Sequence, residues 1–366
     1  MEVGLHSLGR RNFWEVPAGN TPWITRLHPM IEMDRNSHFS FTRLARAGMT
    51  IVLLTSATHT TAENSELESI ALPGARAFPE SITSTLDGTL FIGRLGEGGI
   101  VRVSPQTGKT EVFVPSGSSQ SRSILGVFAD DASKILWACS NDLSESGRSS
   151  GAHDHVSILI GFDLRTGAAR RSVALPGAHP YCNDIAIDAS GAVYVTDSSG
   201  PNVLRLRPGA TTFETFASSD QFLPPPGGGA GLDGIAFGGD GNLYVTMFSA
   251  GELFRIEIEE GRPGRVTKLH GRPLAFPDAL RPLGEKSFLL VEGAGTLDRV
   301  DIEGDEFKTS AIRGGFREPT SVTRVGTTAW VTEGQLSLFF DPSRRSQSPT
   351  LPFRIYAVPL SKGTTQ

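Results

Sequence analysis

The sequence predicts an all-β chain folded as a six-bladed β-propeller with four antiparallel strands in each blade. The first observation behind this prediction is a repeated phrase: a short apolar strand, a turn bearing Gly or Asp, and a second apolar strand. Six copies begin 42 to 58 residues apart, and a recurring unit of this size is typical of repeat folds. The second observation is composition, since Gly 42 and Pro 23 favour many tight turns. No stretch keeps the apolar spacing of a long helix.

The two clearest copies of the phrase are NDIAIDASGAVYVTD, which begins at Asn183, and DGIAFGGDGNLYVTM, which begins at Asp233. Their apolar residues alternate with period two, and the Gly-containing turn between them supplies the positive-φ positions that hairpins need. A third strand and a more polar fourth strand follow, which makes the four strands of a propeller blade. The last blade ends with FRIYAVPL, and we expect residues 67–72 to add a closing strand there.

The first 62 residues do not belong to the repeat. Arg43 and Arg46 precede the short apolar run 47–54, which small and polar residues follow. This order is typical of a signal peptide, so we expect residues 1–62 to be an N-terminal extension with a signal peptide and residues 63–366 to be the propeller. The alternative is an extension with one buried helix. Export predicts a secreted or periplasmic protein.

Charge and hydrophobicity indicate which classes of binding partner to expect. The formal net charge is −5, and without a basic patch a nucleic-acid partner is not expected. No run of apolar residues is long enough for a membrane span. We therefore expect a small-molecule substrate.

The chain has two cysteines, Cys139 and Cys182. Cys139 ends the second predicted strand of blade 2, and Cys182 directly precedes the first strand of blade 3. Export would allow them to pair; the alternative is two buried free thiols.

In a propeller the innermost strand of each blade lines a central channel, so equivalent positions form a ring. Four of the six ring positions here carry oxygen donors, which suit Ca²⁺, Mg²⁺ or Mn²⁺ better than zinc. Carboxylates so close together would repel one another unless a cation compensates them. The alternative is that these polar residues cap strand starts and bind channel water. The ring positions are Glu80, Leu125, Asn183, Asp233, Asp278 and Thr320.

A second ring is expected at the end of the second strand of each blade. Its acids, Asp197, Glu292 and Glu333, are predicted to bind substrate or to orient the inner ring; the alternative is that they are solvated loop acids. The six positions assigned to this ring are Arg94, Cys139, Asp197, Met247, Glu292 and Glu333.

The segments FPES, YCND and LDG, each followed by an apolar residue and a hairpin, resemble the senescence-marker protein (regucalcin), gluconolactonase and luciferin-regenerating enzyme family over residues 78–360. The resemblance implies a six-bladed propeller with a divalent metal in its channel, and many members hydrolyse sugar lactones. It assigns the metal to Glu80, Asn183 and Asp233, and a substrate contact to Arg122. The chain departs from the family in blade 2, where Leu125 and the residue before it are apolar and the family often has Asn.

These observations predict a metal-dependent hydrolase of lactones or related cyclic esters. Ca²⁺ is the expected ion, with Mg²⁺, Mn²⁺ or Zn²⁺ also compatible, and it would polarise the carbonyl and activate water. Asp233 is the first choice of general base and Asp278 the second. His179 is a candidate proton carrier or substrate contact, the alternative being a loop histidine that packs. The alternative function is a non-catalytic propeller whose structural ion supports binding of a small ligand or a protein.

Overall fold

A computed structural model describes residues 68–143, 157–226, 229–344 and 346–361. Within these residues, 24 strands form six separate four-stranded sheets. Every sheet is antiparallel, and its strands neighbour one another in chain order, apart from the last sheet, which the N-terminal strand completes. The predicted six-bladed propeller is therefore confirmed. The predicted extension and signal peptide lie outside the described residues.

Blades 1 to 3 are each formed by four consecutive strands. Blade 1 contains β2 (Pro79–Ser84), β3 (Leu90–Arg94), β4 (Ile100–Ser104) and β5 (Lys109–Val114). Blade 2 contains β6 (Ser123–Asp130), β7 (Ile135–Asn141), β8 (Ser157–Asp163) and β9 (Ala169–Ala174). Blade 3 contains β10 (Cys182–Ile187), β11 (Val193–Asp197), β12 (Asn202–Leu206) and β13 (Glu214–Ser218).

Blades 4 and 5 repeat this arrangement, and blade 6 combines both ends of the described chain. Blade 4 contains β14 (Leu232–Phe237), β15 (Leu243–Met247), β16 (Glu252–Glu259) and β17 (Arg262–Lys268). Blade 5 contains β18 (Pro277–Pro282), β19 (Ser287–Glu292), β20 (Thr296–Glu303) and β21 (Glu306–Gly314). Blade 6 contains β22 (Pro319–Val325), β23 (Thr328–Glu333), β24 (Arg354–Pro359) and β1 (Ser69–Ala71).

Helical structure in the described part of the chain is confined to single turns in loops. One α-helical turn, α1, spans Ser337–Phe340, and 3₁₀ turns span Ser118–Gln120, Asp220–Phe222 and Pro342–Arg344. None of these segments has the length or the apolar composition to cross a membrane.

The ring of blades is closed by the strand that sequence analysis expected from residues 67–72. Ser69 pairs with Tyr356 and Ala71 with Arg354, so β1 is the outermost strand of blade 6. This pairing joins the two ends of the described propeller and covers an edge of β24 that would otherwise be open.

The hairpin turns of blades 3 and 4 show why the repeated phrase folds as it does. Gly191 and Gly241 have φ values of 82° and 80°, which glycine adopts without steric cost. The preceding aspartate accepts a hydrogen bond from the tyrosine of the second strand: Tyr194 to Asp188 at 2.9 Å, and the equivalent Tyr244 in blade 4 to its aspartate at 2.8 Å. This hydrogen bond links each turn to the second strand of its hairpin.

The apolar core lies between adjacent blades rather than in the channel. Tyr194 of blade 3 contacts Phe237 of blade 4 with ring centroids 5.1 Å apart, and Tyr244 of blade 4 contacts Phe288 of blade 5 at 4.8 Å. Cys139 of blade 2 and Cys182 of blade 3 form a disulfide with their Cα atoms 5.3 Å apart, which is the pairing that sequence analysis left open. The blades therefore hold the inner strands in a fixed relation to one another.

Candidate functional site

The innermost strand of every blade carries a β-bulge at the ring position. In β2, Pro79 pairs with Arg94 and Ile82 with Ile92, so Glu80 and the residue after it face a single residue of β3. The register shifts at the same place in the other five blades. A bulge re-aims side chains and is frequent beside functional sites, so this irregularity positions the whole ring.

Two glycines allow the bulges of adjacent blades to lie close together. A Cβ atom at Gly126 would overlap the carbonyl oxygen of Asn183, and one at Gly234 would overlap the carbonyl oxygen of Asp278. Each glycine is the second residue of its bulge, directly after the ring residue. The ring residues of blades 3 and 5 are therefore pressed against the backbone of their neighbours.

The structure brings four predicted site residues together at one end of the channel. The Asp233 carboxyl hydrogen-bonds with the side chains of Asn183 and Asp278, and Glu80 lies close enough to be repelled by Asp233. All are buried, with Glu80 5% and Asp278 7% exposed. The Asn183 amide nitrogen donates to Ser198 Oγ at 2.8 Å. Three carboxyl groups and one amide thus converge from four different blades.

Burial makes ionisation of these carboxyl groups costly. It raises the pKa of Asp233 to about 8, with a further contribution from the negative charge of Asp184. The pKa values of Glu80 and Asp278 also lie well above the ordinary range, first because of burial and then because both are repelled by Asp233. Without a cation, the cluster therefore retains protons near neutral pH.

A buried ion pair lies beside the ring. Its two residues follow the ring positions of blades 3 and 5 on the inner strands. Arg281 of β18 donates to Asp184 of β10 through Nη1–Oδ2 at 2.6 Å and Nη2–Oδ1 at 2.9 Å. The backbone N–H of Ile235 adds a third hydrogen bond to Asp184 at 3.2 Å. Arg281 also attracts Glu80, Asp233 and Asp278. Four carboxyl groups therefore share one guanidinium.

Tyr181 places a phenol next to the ring. Burial raises its pKa, and the charges of Glu80 and Asp233 raise it further, so the phenol is neutral and remains a hydrogen-bond donor. Its backbone N–H donates to Asp197 at 2.9 Å, and Asp197 also accepts from the Ser199 hydroxyl at 2.7 Å. Asp197 therefore holds the loop that carries Tyr181.

The remaining two ring positions differ from the acids. Thr320 is engaged in hydrogen bonds, with Oγ1 3.2 Å from the Pro79 carbonyl oxygen and 2.8 Å from Thr332 Oγ1. Leu125 is buried in an apolar cluster that also contains Leu143 and Tyr181. The ring therefore carries acids at blades 1, 4 and 5, and at blade 2 it has an apolar arc, formed by Leu125 between Glu80 and Asn183.

Two predicted substrate contacts lie outside the acid cluster. Arg122 precedes β6 and is 3.7 Å from Asp142 in an ion pair, and its backbone N–H donates to Ser140 Oγ at 2.8 Å. His179 is exposed in the loop before β10, and its carbonyl oxygen accepts from Ser199 Oγ at 2.6 Å. A substrate contact by either residue stays a prediction.

The acids of the second ring all have protein partners. Arg272 binds Glu292 with both terminal nitrogens and also reaches Asp298 at 2.8 Å, while Glu333 accepts from the backbone N–H of Arg317 at 2.8 Å. Asp197, Glu292 and Glu333 each accept a hydrogen bond from a backbone N–H in the loop before the inner strand of their own blade. They therefore stabilise these loops. Their predicted contact with substrate is untested.

One position of the second ring was predicted wrongly. In blade 2, Ile124 pairs with Ser140, just as Pro79 pairs with Arg94 in blade 1. Ser140, not Cys139, is therefore the equivalent position. Cys139 lies opposite the bulge, from which it reaches Cys182.

The donor set fits a hard divalent cation. Its atoms are carboxylate and amide oxygens, the ligands that Ca²⁺ prefers, and Glu80, Asn183 and Asp233 are the residues that would hold it. Among the described residues, no three His, Cys, Asp or Glu side chains already stand in coordination geometry. Asp233 and Asp278 are instead hydrogen-bonded with each other, which requires a proton between them.

Three residues of this site were not predicted from the sequence: Tyr181, Asp184 and Arg281. Tyr181 and Asp184 flank Cys182 and Asn183 in the same YCND segment, so their closeness to the ring could have been inferred from position. Arg281 lies 97 residues from its partner, and no local pattern joins the two.

Comparison with known proteins shows the fold and not a family. No family model and no curated protein matches the chain. Among solved structures, a gluconolactonase from Xanthomonas campestris is 15% identical with a TM-score of 0.57, covering 81% of this chain and 90% of that one. The calcium-binding protein regucalcin from Agrobacterium tumefaciens is 17% identical with a TM-score of 0.56, covering 81% and 96%.

A third similar structure carries a different activity. Virginiamycin B lyase from Staphylococcus aureus is 16% identical with a TM-score of 0.53, covering 81% of this chain and 99% of that one. One fold can host unrelated chemistries, so the activity has to be argued from the site. At these identities the chain shares its propeller fold with a gluconolactonase, a calcium-binding protein and a lyase.

Proposed function

We propose that this protein is a metal-dependent hydrolase of lactones or related cyclic esters. The observation that carries the proposal is the convergence of buried Glu80, Asp233 and Asp278 on Asn183, with Arg281 as the cation that they share. Burying so many acids is costly unless charge compensates them. A divalent cation would supply that compensation.

Glu80, Asn183 and Asp233 would hold the cation. The Asn183 nitrogen is used by Ser198, so the amide oxygen is the atom suited to the cation. Ca²⁺ fits the all-oxygen set best, with Mg²⁺, Mn²⁺ and Zn²⁺ as compatible alternatives. When bound, such an ion polarises an ester carbonyl and lowers the pKa of water.

The carboxyl pair Asp233 and Asp278 is suited to general-base catalysis. In hydrolysis, the oxygen of water attacks the carbonyl carbon and its proton passes to a carboxylate of this pair, with Asp233 as first choice. The ring C–O bond then breaks, and the leaving oxygen takes up a proton to give the hydroxy acid. General-base catalysis of this kind contributes about 10²- to 10⁴-fold in rate.

Tyr181 is suited to stabilise the developing charge on oxygen. Its phenol is neutral, buried and close to Glu80 and Asp233. A fixed donor directed at an oxyanion acts strongly in a site from which water is excluded. Asp197 would serve this step by holding the Tyr181 backbone.

The test combines metal analysis with a panel of lactones whose hydrolysis is followed by acid release. We expect activity to vanish with chelator and to return with Ca²⁺. We expect Glu80→Gln to weaken Ca²⁺ binding and Asp233→Asn to lower turnover at least about 100-fold, each with a near-normal melting temperature. Asp301→Asn is the matched control, because Asp301 pairs with Arg299 in the third strand of blade 5, away from the ring. It should leave Ca²⁺ binding and turnover unchanged.

The same experiment separates this proposal from its alternative. If the chain binds Ca²⁺ and hydrolyses no lactone, and if Glu80→Gln and Asp233→Asn both unfold, the ion is structural and the propeller is a binding module.

A further inference from the structure

We propose, building on the lactonase function above, that the substrate is a lactone with a hydrocarbon substituent and not a polyhydroxylated sugar lactone. Blade 2 lacks a polar side chain at its ring position, and we expect this blade to contact the substituent of the lactone.

The ring has one apolar position, which lies in blade 2 between the polar positions of blades 1 and 3. Blades 3, 4, 5 and 1 present Asn183, Asp233, Asp278 and Glu80, whereas blade 2 presents Leu125, which is 3% exposed. Because all six inner strands bulge at this position, Leu125 occupies the place that an acid or amide occupies in those four blades. Because Leu125 lies between Glu80 and Asn183, two of the residues that would hold the cation, a lactone whose carbonyl approaches the cation would bring its substituent beside Leu125.

The surroundings of Leu125 extend the apolar arc. Leu143 follows the end of β7, and Phe78 and Leu95 border the same end of blade 1. All three are buried in one cluster with Leu125 and Tyr181. Phe78 and Leu95 are at most 1% exposed, so the hydrocarbon surface that meets a substituent is expected to come from Leu125 and Leu143, with the phenol of Tyr181 as one polar group in the same cluster.

Asn141 and Arg122, the larger polar side chains near this arc, are already engaged. The Asn141 amide donates to the Cys182 carbonyl at 2.8 Å and accepts from the Cys182 N–H at 3.1 Å. Arg122 is paired with Asp142. Ser123, at the start of the same strand, contributes one hydroxyl, which suits one ester oxygen but not a row of sugar hydroxyls.

The expected selectivity follows from burial. Each methylene that the arc buries is worth about fourfold in binding. A hydrophobic pocket disfavours an added hydroxyl by up to about 100-fold. A substrate with several hydroxyls would lose more, because those facing blade 2 would give up water without gaining a protein partner.

The test compares kcat/KM for δ-nonalactone and δ-gluconolactone in the Ca²⁺-loaded full chain. We expect the wild type to prefer δ-nonalactone by at least about 100-fold. Leu125→Asn should reduce this preference at least about tenfold by giving hydroxyls a partner. Leu125→Met, which conserves volume and polarity, is the control and should keep the preference.

The outcomes distinguish the two proposals. If the wild type hydrolyses δ-gluconolactone as well as or better than δ-nonalactone, the inference fails and the lactonase function stands. The inference also fails if Leu125→Asn folds, binds Ca²⁺ and keeps the full preference. If the wild type binds Ca²⁺ but hydrolyses neither lactone, the proposed function fails, and this inference with it. If Leu125→Asn does not fold, the wild-type preference alone decides.

Discussion

Arg281 of blade 5 and Asp184 of blade 3 form a two-pronged ion pair across the inner strands, with N–O distances of 2.6 and 2.9 Å. Both side chains are buried, and the pair adjoins the carboxyl groups of Glu80, Asp233 and Asp278. Arg281 is thus a fixed positive charge beside the predicted cation site, and Asp184 is its counter-charge.

The first prediction is that this pair sets the affinity of the cation site through net charge. Asp184→Asn leaves the Arg281 charge unopposed, so Ca²⁺ should bind at least about tenfold more weakly. Arg281→Met removes a repulsive charge, so Ca²⁺ should bind more tightly. The double variant restores the balance and should fall within about threefold of wild type.

These four affinities should be measured by calorimetry at pH 9, where protons compete least with the cation. The order from tight to weak should be Arg281→Met, then wild type and the double variant, then Asp184→Asn. Equal affinities in all four proteins would mean that the pair is purely structural.

The second prediction concerns the pH dependence of stability. The pKa of Asp233 is about 8 in the folded chain and about 4 in an unfolded one, so the folded state keeps a proton that the unfolded state releases. The contribution of Asp233 to the stability of the metal-free protein is therefore fully present below about pH 4 and is lost as pH rises through about 4 to 8. Bound Ca²⁺ takes the place of the proton on the ring carboxyl groups, so the Ca²⁺-bound protein should not show this loss of stability with rising pH.

Melting temperatures with and without Ca²⁺ at pH 5 and pH 9 measure this effect. Between these values the metal-free protein should lose at least about 5 °C more than the Ca²⁺-saturated protein. Asp298, whose pKa is raised to about 7 by burial and by Glu292, affects both forms in the same direction and cancels in the comparison. A Ca²⁺ stabilisation that does not grow with pH would contradict the assignment of protons to the ring.

The third prediction tests the phenol beside the ring. Tyr181→Phe removes the hydroxyl and keeps the ring, so kcat should fall about 10- to 100-fold while the Kd for Ca²⁺ stays within about twofold. Tyr244→Phe is the matched control, because its hydroxyl donates to Asp240 at 2.8 Å in the hairpin turn of blade 4, away from the inner ring. Unchanged kcat in Tyr181→Phe would restrict this residue to packing.

The fourth prediction tests the close approach of the inner strands. In Gly234→Ala the new methyl group overlaps the Asp278 carbonyl oxygen, so the unfolding free energy should fall by at least about 2 kcal/mol and Ca²⁺ binding should weaken. Gly314→Ala adds its methyl group 3.8 Å from Thr296 and should change stability by less than about 0.5 kcal/mol. Similar effects of the two substitutions in chemical denaturation would contradict the close packing.

Much of the fold was predictable because each blade repeats local rules. The alternation of Ile185 and Ile187, and the glycine at the turn that follows, specify a hairpin without reference to the rest of the chain. Six such hairpins at a regular period then specify a propeller. The ring positions followed from the same register, since Glu80, Asn183, Asp233 and Asp278 each begin a copy of the phrase.

The parts of the site that could not be predicted depend on contacts between distant blades. Asp184 looks like one more ring acid in the sequence, and only the convergence of the inner strands of blades 3 and 5 on the channel shows that Arg281 neutralises it. Glu292 looked available for substrate until Arg272, 20 residues before it, was seen to bind it. The one-residue error that put Cys139 in the second ring arose because a bulge adds a residue to one strand and not to the other.

The most direct test of the central claim is the crystal structure of the protein grown with Ca²⁺ and measured for anomalous scattering. We predict one cation about 2.4 Å from carboxylate oxygens of Glu80 and Asp233 and from the amide oxygen of Asn183. A channel with no anomalous peak at these atoms, in which Asp233 and Asp278 still share a hydrogen bond at saturating Ca²⁺, would contradict the account.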